Sequence, residues 1–174
     1  SVLKSTRIRF PWLFASCVGG ILAFFIIGKF EGSLAKVAAL AAFIPVIMGM
    51  GGNIGTQSST IVVRGIATGR IAIRDFWSVL LKELTIGVIL GVIYGLLIGS
   101  VAQVRYSTSA LAISVGLAVV SSMSIAALVG SLVPMAFARI HIDPAVATGP
   151  FVTTAIDIVS VTFYFMIATA LLGL

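Results

Sequence analysis

Long apolar runs, separated by short basic segments, divide the chain into five parts. Each run is close to the roughly 20 residues that a helix needs to cross the hydrocarbon core of a bilayer. We predict helices over residues 10–28, 37–63, 75–101, 110–138 and 144–173. The pattern therefore indicates an all-α integral membrane protein, a single transmembrane domain with five spans.

Composition places the chain in the same class. Hydrophobic residues make up 60% of the 174 residues, charged residues make up 9%, and the mean hydropathy is +1.23. The single cysteine, Cys17, excludes a disulfide framework within the chain and a cysteine-rich metal site. The formal charge of +6 comes mostly from basic residues outside the spans. Membrane topology and anionic lipid headgroups therefore explain it better than nucleic acid does.

The distribution of Lys and Arg predicts the orientation of the spans. With the N-terminus inside, seven loop or terminal basic residues are cytoplasmic and three are outside. The seven are Lys4, Arg7, Arg9, Arg64, Arg70, Arg74 and Arg139, and the three are Lys29, Lys36 and Arg105. We expect a plasma-membrane protein with a cytoplasmic N-terminus and an extracytoplasmic C-terminus. Because the chain opens on a basic segment without an initiator Met, we expect a longer protein with any upstream domain in the cytoplasm.

The last apolar run carries one carboxylate, Asp157, about halfway along its length. A carboxylate at bilayer depth is costly and usually faces a bundle interior or a watery path. On a helix, Thr153, Asp157, Ser160 and Tyr164 share one face, because their spacings are four, three and four. We interpret this face as the wall of a cation pathway. The alternative is a buried Asp satisfied by a hydroxyl or amide of a neighbouring helix.

The second span has an unusual middle, residues 45–60, which mixes a proline and four glycines with amide and hydroxyl side chains. Broken or closely packed backbone at membrane depth persists only where protein or water surrounds it, and breaks free carbonyl oxygens that suit hard cations. Asn53 and Gln57 form one oxygen-bearing stripe, and Thr56 and Thr60 form another. We predict that these side chains face the pathway. The alternative is that the glycines allow close helix approach and the polar groups cross-link helices.

The third span contains a glycine at every fourth position. These are Gly87, Gly91, Gly95 and Gly99. Such a ladder predicts tight packing against another helix. Glu83 lies two turns inside the same span, where a packing role through an Arg or Lys of another helix is favoured over a place in the inner vestibule of the pathway.

Asp143 and Pro144 precede the last span. An Asp at the N-cap followed by Pro at the first helical position is typical of a sharp helix start. The functional alternative makes Asp143 a second cation ligand on the cytoplasmic side. His141 stands alone in the same loop, which favours a surface role over metal ligation.

Three motifs are specific in combination. They are Arg9-Phe10-Pro11-Trp12-Leu13, Gly51-Gly52-Asn53-Ile54-Gly55-Thr56-Gln57-Ser58, and Asp143-Pro144-Ala145 followed by Gly149-Pro150 and Thr153-Thr154-Ala155-Ile156-Asp157. Together they resemble the transmembrane domain of MgtE-type magnesium channels, over essentially the whole chain. The resemblance implies a homodimer of five-helix protomers whose pore, at the dimer interface, is lined by the second and fifth spans. It also implies cytoplasmic regulatory domains upstream of the first span.

The same resemblance implies that Asp157 is the central carboxylate of a magnesium site. Thr153 would lie one turn before it, and Thr56 and Thr60 would lie nearby. Many members of the family carry Asn at the position of Thr56, so this sequence departs from the usual pattern there.

The chemistry of the ion agrees with that expectation. Mg²⁺ prefers octahedral oxygen coordination at about 2.0–2.1 Å and gives up its water reluctantly. Two copies of Asp157 across a twofold axis, surrounded by hydroxyl, amide and carbonyl oxygens, would hold the hydrated ion through its waters. One carboxylate without His or Cys argues against a zinc or copper site, whereas Mn²⁺ or Co²⁺ could still pass. We therefore predict channel-like conduction of Mg²⁺ past Asp157.

Two other functional classes are alternatives to a channel. A secondary transporter coupled to H⁺ or Na⁺ would use Asp157 and Glu83 as titrating groups and an interrupted second helix, although the sequence shows no inverted repeat. An intramembrane hydrolase would need paired aspartates or a Ser with a membrane His. Asp143 and Asp157 are 14 residues apart, about 21 Å along a helix. We therefore predict that the protein is not an enzyme and has no catalytic residues.

Overall fold

A computed structural model describes residues 2–144 and 149–174, apart from the side chains of Trp12, Pro150 and Phe151. The described part is helical with short connections, which confirms the all-α prediction. The helices are α1 (Val2–Lys29), α2 (Glu31–Lys36), α3 (Ala39–Ala67), α4 (Phe76–Tyr106), α5 (Ser109–Arg139) and α6 (Pro150–Leu172), with a 3₁₀ turn at Ile73–Asp75. Within these ranges, five helices are long and apolar enough to cross a membrane.

The first helix is longer than the apolar run that predicted it. It begins at Val2 instead of residue 10, and Pro11 lies inside it. Arg7 and Arg9 are exposed on this extension. Arg is a good helix former that needs no apolar surroundings, so the helix continues beyond the part that can lie in lipid.

Of the two states considered for the middle of the second span, broken or closely packed backbone, the structure shows the closely packed one. α3 is one continuous helix from Ala39 to Ala67, and it includes Pro45 and all four glycines. The glycines that are buried allow neighbouring helices to approach. A Cβ atom at Gly51 would lie 2.5 Å from the Ser122 hydroxyl and 2.7 Å from the Ser160 hydroxyl. Tertiary packing therefore outweighs the low helix propensity of glycine, and the helix keeps its internal hydrogen bonds.

The glycine ladder of α4 lies against α5. A Cβ atom added at any of the four ladder positions would come within 2.7–3.0 Å of α5. The nearest α5 atoms are Ala127 Cβ for Gly87, Val120 Cα for Gly91, Gly116 O for Gly95 and Ala112 O for Gly99. The residue numbers of these α5 partners fall as the residue numbers along α4 rise, so the two helices run antiparallel. No larger residue fits at these positions unless backbone moves.

The last helix begins later than predicted. Gly149 has extended backbone and precedes Pro150, the first residue of α6. Residues 145–148, where the prediction had begun the helix, lie outside the described part of the chain. Pro150 disfavours helical geometry at the residue before it and has no N–H to leave unpaired, so it sets a sharp start. Asp143 and Pro144 are therefore not the N-terminal cap of α6.

Helix α5 forms the centre of the protomer. It packs against α3, α4 and α6, whereas α1 packs mainly against α6. The resulting core joins buried residues of α3, α5 and α6, among them Ile47, Val119 and Ile156. This arrangement places one side of α6 in the core and leaves another side free to border the spaces beside α1 and α3.

Candidate cation site

Asp157 lies in the second turn of α6 and borders two cavities. One, of about 330 Å³, is lined by α3 and α6. The other, of about 520 Å³, lies between α1 and α6. We call them the α3 cavity and the α1 cavity. Asp157, Thr153 and Met48 line both of them, so the carboxylate stands where the two spaces meet.

Among the residues that the structure describes, the Asp157 carboxylate has no partner. Across residues 2–144 and 149–174, no cationic side chain forms a salt bridge with it and no donor forms a hydrogen bond with it. The side chain is half-buried. A buried Asp satisfied by a neighbouring hydroxyl or amide, the alternative considered from the sequence, is therefore not what the described residues form. The charge is available for water or a cation.

Helix α3 brings amide and hydroxyl groups to the same space. Asn53 and Thr56 line the α3 cavity together with Thr153 and Asp157. A Cβ atom at Gly52 would lie 3.8 Å from Asp157 Oδ1, an ordinary contact distance, so Gly52 lies directly beside the carboxylate. The Thr56 hydroxyl donates to the Gly52 carbonyl oxygen at 2.8 Å. The Thr56 hydroxyl oxygen therefore remains available as an acceptor, and no hydrogen bond from α3 occupies it.

Two of the predicted α3 residues do not border the cavity. Gln57 and Thr60 are exposed on α3, and neither lines the space beside Asp157. Asn53 and Thr56 are exposed as well. Polar side chains thus cover the outward face of α3 in the middle of a predicted span. Of these, only Asn53 and Thr56 share a cavity with Asp157.

The predicted face of α6 is divided by its packing. Thr153 and Asp157 border the cavities, but Ser160 and Tyr164 are buried at 1% and 0% exposure. Ser160 lies 2.7 Å from the Ser122 hydroxyl, and the Tyr164 hydroxyl donates to the Leu40 carbonyl oxygen at 2.9 Å. The prediction that this whole face lines a pathway is wrong for these two residues, because α3 and α5 cover the later turns of α6.

The two remaining acidic candidates lie elsewhere. Glu83 is buried at 6% exposure in α4, one turn before Gly87, and borders neither cavity. Among the described residues no Arg or Lys pairs with it, so the favoured packing role through such a pair is not found there. Asp143 is exposed ahead of α6 and borders neither cavity.

The contribution of α1 was missed by sequence reasoning. Ser16, Gly19, Gly20 and Ala23 line the α1 cavity. Their spacing of three, one and three places them on one face of a helix, and all four are small. That stripe could have marked a close or open helix surface, but the sequence does not say which helix it faces.

The donors around Asp157 suit an ion that keeps its waters. Within the described ranges, no three His, Cys, Asp or Glu side chains come together. One carboxylate with hydroxyl and amide groups around a wide space offers hydrogen-bond acceptors for the water shell of a hard cation. It does not offer the closed set of thiolate or imidazole ligands that zinc or copper sites use.

Comparison with known proteins identifies the family. The family model "MgtE: Divalent cation transporter" matches residues 44–167. Proteins named magnesium transporter MgtE are similar over most of this chain: one from Enterococcus faecalis is 36% identical over 96% of it, one from Bacillus subtilis 33% over 93%, and one from Thermus thermophilus 35% over 94%. The matches cover 37%, 36% and 36% of those proteins, so the chain spans about a third of their length. The chain belongs to the MgtE family of divalent cation transporters.

Proposed function

We propose that this chain conducts Mg²⁺ through the membrane and that the ion passes Asp157 with most of its water shell. The observation that carries the proposal is the Asp157 carboxylate, which has no partner among the described residues and opens onto a space lined by Asn53 and Thr56. The relatives named as magnesium transporters support Mg²⁺ as the ion. Mn²⁺ and Co²⁺ are expected to compete, because the site selects hard divalent ions by charge and oxygen donors.

The α3 cavity has room for a hydrated ion. Six waters at about 30 Å³ each need about 180 Å³, and the cavity measures about 330 Å³. An ion that keeps its waters avoids most of the dehydration barrier, which is high for Mg²⁺. Asp157 supplies the negative charge, while Asn53, Thr56 and Thr153 accept hydrogen bonds from the waters.

The active unit is a homodimer of this chain. The outward face of α3 exposes Asn53, Thr56, Gln57 and Thr60, and such groups are expensive to leave against lipid. A second copy, related by a twofold axis beside α3 and α6, would turn these faces toward each other and away from lipid, beside the watery path that Asn53 and Thr56 line. It would also bring a second Asp157, so two negative charges would meet one divalent cation.

Orientation and surroundings follow from the same reading. We expect the protein in the plasma membrane with the N-terminus in the cytoplasm, because this orientation leaves seven of the ten loop and terminal basic residues inside. Asp143, exposed ahead of α6, would then lie near the cytoplasmic mouth, where it could attract cations. The proposal also includes regulation of ion conduction by cytoplasmic domains upstream of this chain.

A flux assay tests the function. The chain is reconstituted in liposomes that contain a Mg²⁺-sensitive dye, and influx is driven by an inside-negative potential. The isosteric Asp157→Asn variant should lose at least about 100-fold of the initial rate, which corresponds to about 2.7 kcal/mol. Glu83→Gln is the matched control, because it neutralises another buried carboxylate in a span, and its rate should stay within about threefold, or 0.7 kcal/mol. Normal influx with Asp157→Asn would refute the proposal.

The same liposomes distinguish conduction from coupled transport. A channel should give influx that follows the Mg²⁺ gradient and the membrane potential, with no dependence on a Na⁺ or pH gradient. The continuity of α3 and the distance of Glu83 from both cavities remove two features on which the coupled alternative relied. A rate that requires an opposing Na⁺ or H⁺ gradient would favour the transporter instead.

Disulfide cross-linking tests the dimer. In a Cys17→Ser background, Thr60→Cys should form a disulfide between two copies, because it lies on the outward polar face of α3. Leu96→Cys is the matched control, since Leu96 is 69% exposed on α4 and lines neither cavity beside Asp157. Cross-linking of the control alone would place the interface elsewhere.

A further inference from the structure

The larger of the two spaces beside Asp157 lies between α1 and α6, and Met48 is the residue of α3 that lines it. The α1 cavity, of about 520 Å³, is bordered by Ser16, Gly19, Gly20 and Ala23 of α1 and by the first turns of α6. The polar groups of α3 do not line it. The carboxylate thus faces open space on two sides, and the function proposed above uses only one of them.

Helix α1 packs closely against α6 at Gly19 and leaves open space at Gly20. The Thr154 side chain packs directly on the backbone of Gly19, and a Cβ atom there would collide with Thr154 Cγ2. At Gly20 nothing lies within 4 Å of an added Cβ. Gly19 therefore sets the distance between the helices, and Gly20 borders the space that this distance creates.

A polar side chain of α1, Ser16, lines the same cavity as the carboxylate. Ser16 lines the cavity with Asp157 and Thr154, and its hydroxyl forms no hydrogen bond with any residue in the described ranges. A serine inside a membrane helix commonly donates to the carbonyl four residues earlier, as Ser100 and Ser114 do here. Ser16 does not, so its hydroxyl remains available to water in the cavity.

A hydrated divalent cation needs acceptors on more than one side. Its six waters point protons outward in all directions, whereas α3 offers Asn53 and Thr56 on one side only. We propose that α1 forms a second wall of the cation path: the α1 cavity holds part of the water shell of the ion at Asp157, and the Ser16 hydroxyl positions those waters. This inference rests on the proposed function, because it assumes that the ion passes Asp157.

Filling the cavity from α1 tests the proposal. Gly20→Leu adds an apolar side chain where there is room for it, so it should displace water without disturbing helix packing. Mg²⁺ influx should fall at least about tenfold, or 1.4 kcal/mol. Gly28→Leu is the matched control, because Gly28 also has nothing within 4 Å and does not line the cavity. Its influx should stay within about twofold, or 0.4 kcal/mol. Normal influx with Gly20→Leu would overturn the proposal.

Chemical labelling provides a second readout that does not depend on filling the space. In a Cys17→Ser background, Ser16→Cys should react with a water-soluble cationic thiol reagent, and Mg²⁺ should slow the reaction. Adding Asp157→Asn should abolish this protection. Cys17 in the unmodified chain is the control: it is exposed and outside the cavity, so Mg²⁺ should not alter its labelling. A Ser16→Cys thiol that is unreactive, or reactive without protection, would overturn the proposal.

The experiments distinguish a failure of the proposed function from a failure of the inference about α1. If Asp157→Asn conducts normally, the proposed function is wrong. If Asp157→Asn is inactive while Gly20→Leu conducts normally and Ser16→Cys shows no protection, the function stands and α1 is only a structural support.

Discussion

Along α4, four glycines meet backbone or Cβ atoms of α5, whereas Gly49 of α3 and Gly20 of α1 face open space in the two cavities beside Asp157. At the α4–α5 contact an added Cβ would come within 2.7–3.0 Å of α5. At Gly49 and Gly20 it would meet nothing within 4 Å. The same small residue therefore closes the helix surface in one region and keeps it open in the other. An open region beside a carboxylate leaves room for water, which the closed α4–α5 contact does not.

The polar groups of the two regions differ in the same way. On the closed side of α6, Ser160 and Tyr164 have hydrogen-bond partners on α5 and α3. On the open side, within the described residues, the Asp157 carboxylate has none. A membrane span normally satisfies its polar groups internally. A carboxylate left without a partner beside a cavity is therefore the feature on which the proposed cation site rests.

The largest effect is expected where the closed region is forced open. In Gly91→Leu, the new side chain would have to displace Val120, whose Cα and carbonyl oxygen would lie 3.0 and 3.1 Å from the added Cβ. Overpacking of this kind costs about 1–3 kcal/mol or more, so we expect a strongly lowered Tm in detergent or no folded protein. A Tm equal to that of the original chain would show that the α4–α5 contact is looser than the structure indicates.

The converse change fills the open region from α3. Gly49→Leu should leave the Tm unchanged, because nothing lies within 4 Å of an added Cβ, yet it should obstruct the α3 cavity. We expect Mg²⁺ influx to fall by about tenfold, or 1.4 kcal/mol. Unchanged influx in a stable Gly49→Leu protein would mean that the ion does not use the α3 cavity.

A smaller effect should separate two amides one turn apart on α3. Asn53 lines the α3 cavity and Gln57 does not, although both are exposed. Asn53→Leu should lower Mg²⁺ influx about fivefold, or about 1 kcal/mol, through loss of an acceptor for the ion's waters. Gln57→Leu, the matched control, should change it less than about twofold. Equal losses in both variants would extend the ion path along the whole outward face of α3.

The smallest effect belongs to a satisfied polar pair in the closed region. Ser122 lies between the Ser160 hydroxyl at 2.7 Å and the Ile47 carbonyl oxygen at 3.2 Å. Hydrogen bonds between membrane helices contribute about 0.6 kcal/mol on average. Ser122→Ala should therefore lower the free energy of unfolding by about that amount, while Mg²⁺ influx per folded protein stays unchanged. A large loss of influx would place this pair in the ion path.

Hydropathy and periodicity predict much of this fold because the bilayer imposes length and polarity on every span. The five spans could be predicted from their apolar runs. Whether the middle of α3 is broken or closely packed could not be predicted, because Gly51 and Gly55 fit either state until α5 and α6 are packed against them. The start of α1 at Val2 could not be predicted for a different reason. Hydropathy shows which residues can lie in lipid, and a helix can extend beyond them.

The candidate site could be predicted only in part. The presence of Asp157 in an apolar run pointed to it, and spacing grouped Thr153 with it. Spacing also grouped Ser160 and Tyr164, since a shared helix face does not tell which turns a neighbouring helix will cover. Ser16 was missed because a lone serine among small residues gains meaning only when α6 is found opposite to it.

Anomalous diffraction from crystals grown with Mn²⁺ would test the central claim most directly, since Mn²⁺ is a hard divalent ion that can be located by its own signal. The account predicts an ion on the twofold axis of a dimer, with Asp157 from both protomers as the nearest carboxylates and waters between ion and protein. An ion bound far from Asp157, or an Asp157 side chain sealed against its own protomer with no ion nearby, would contradict it.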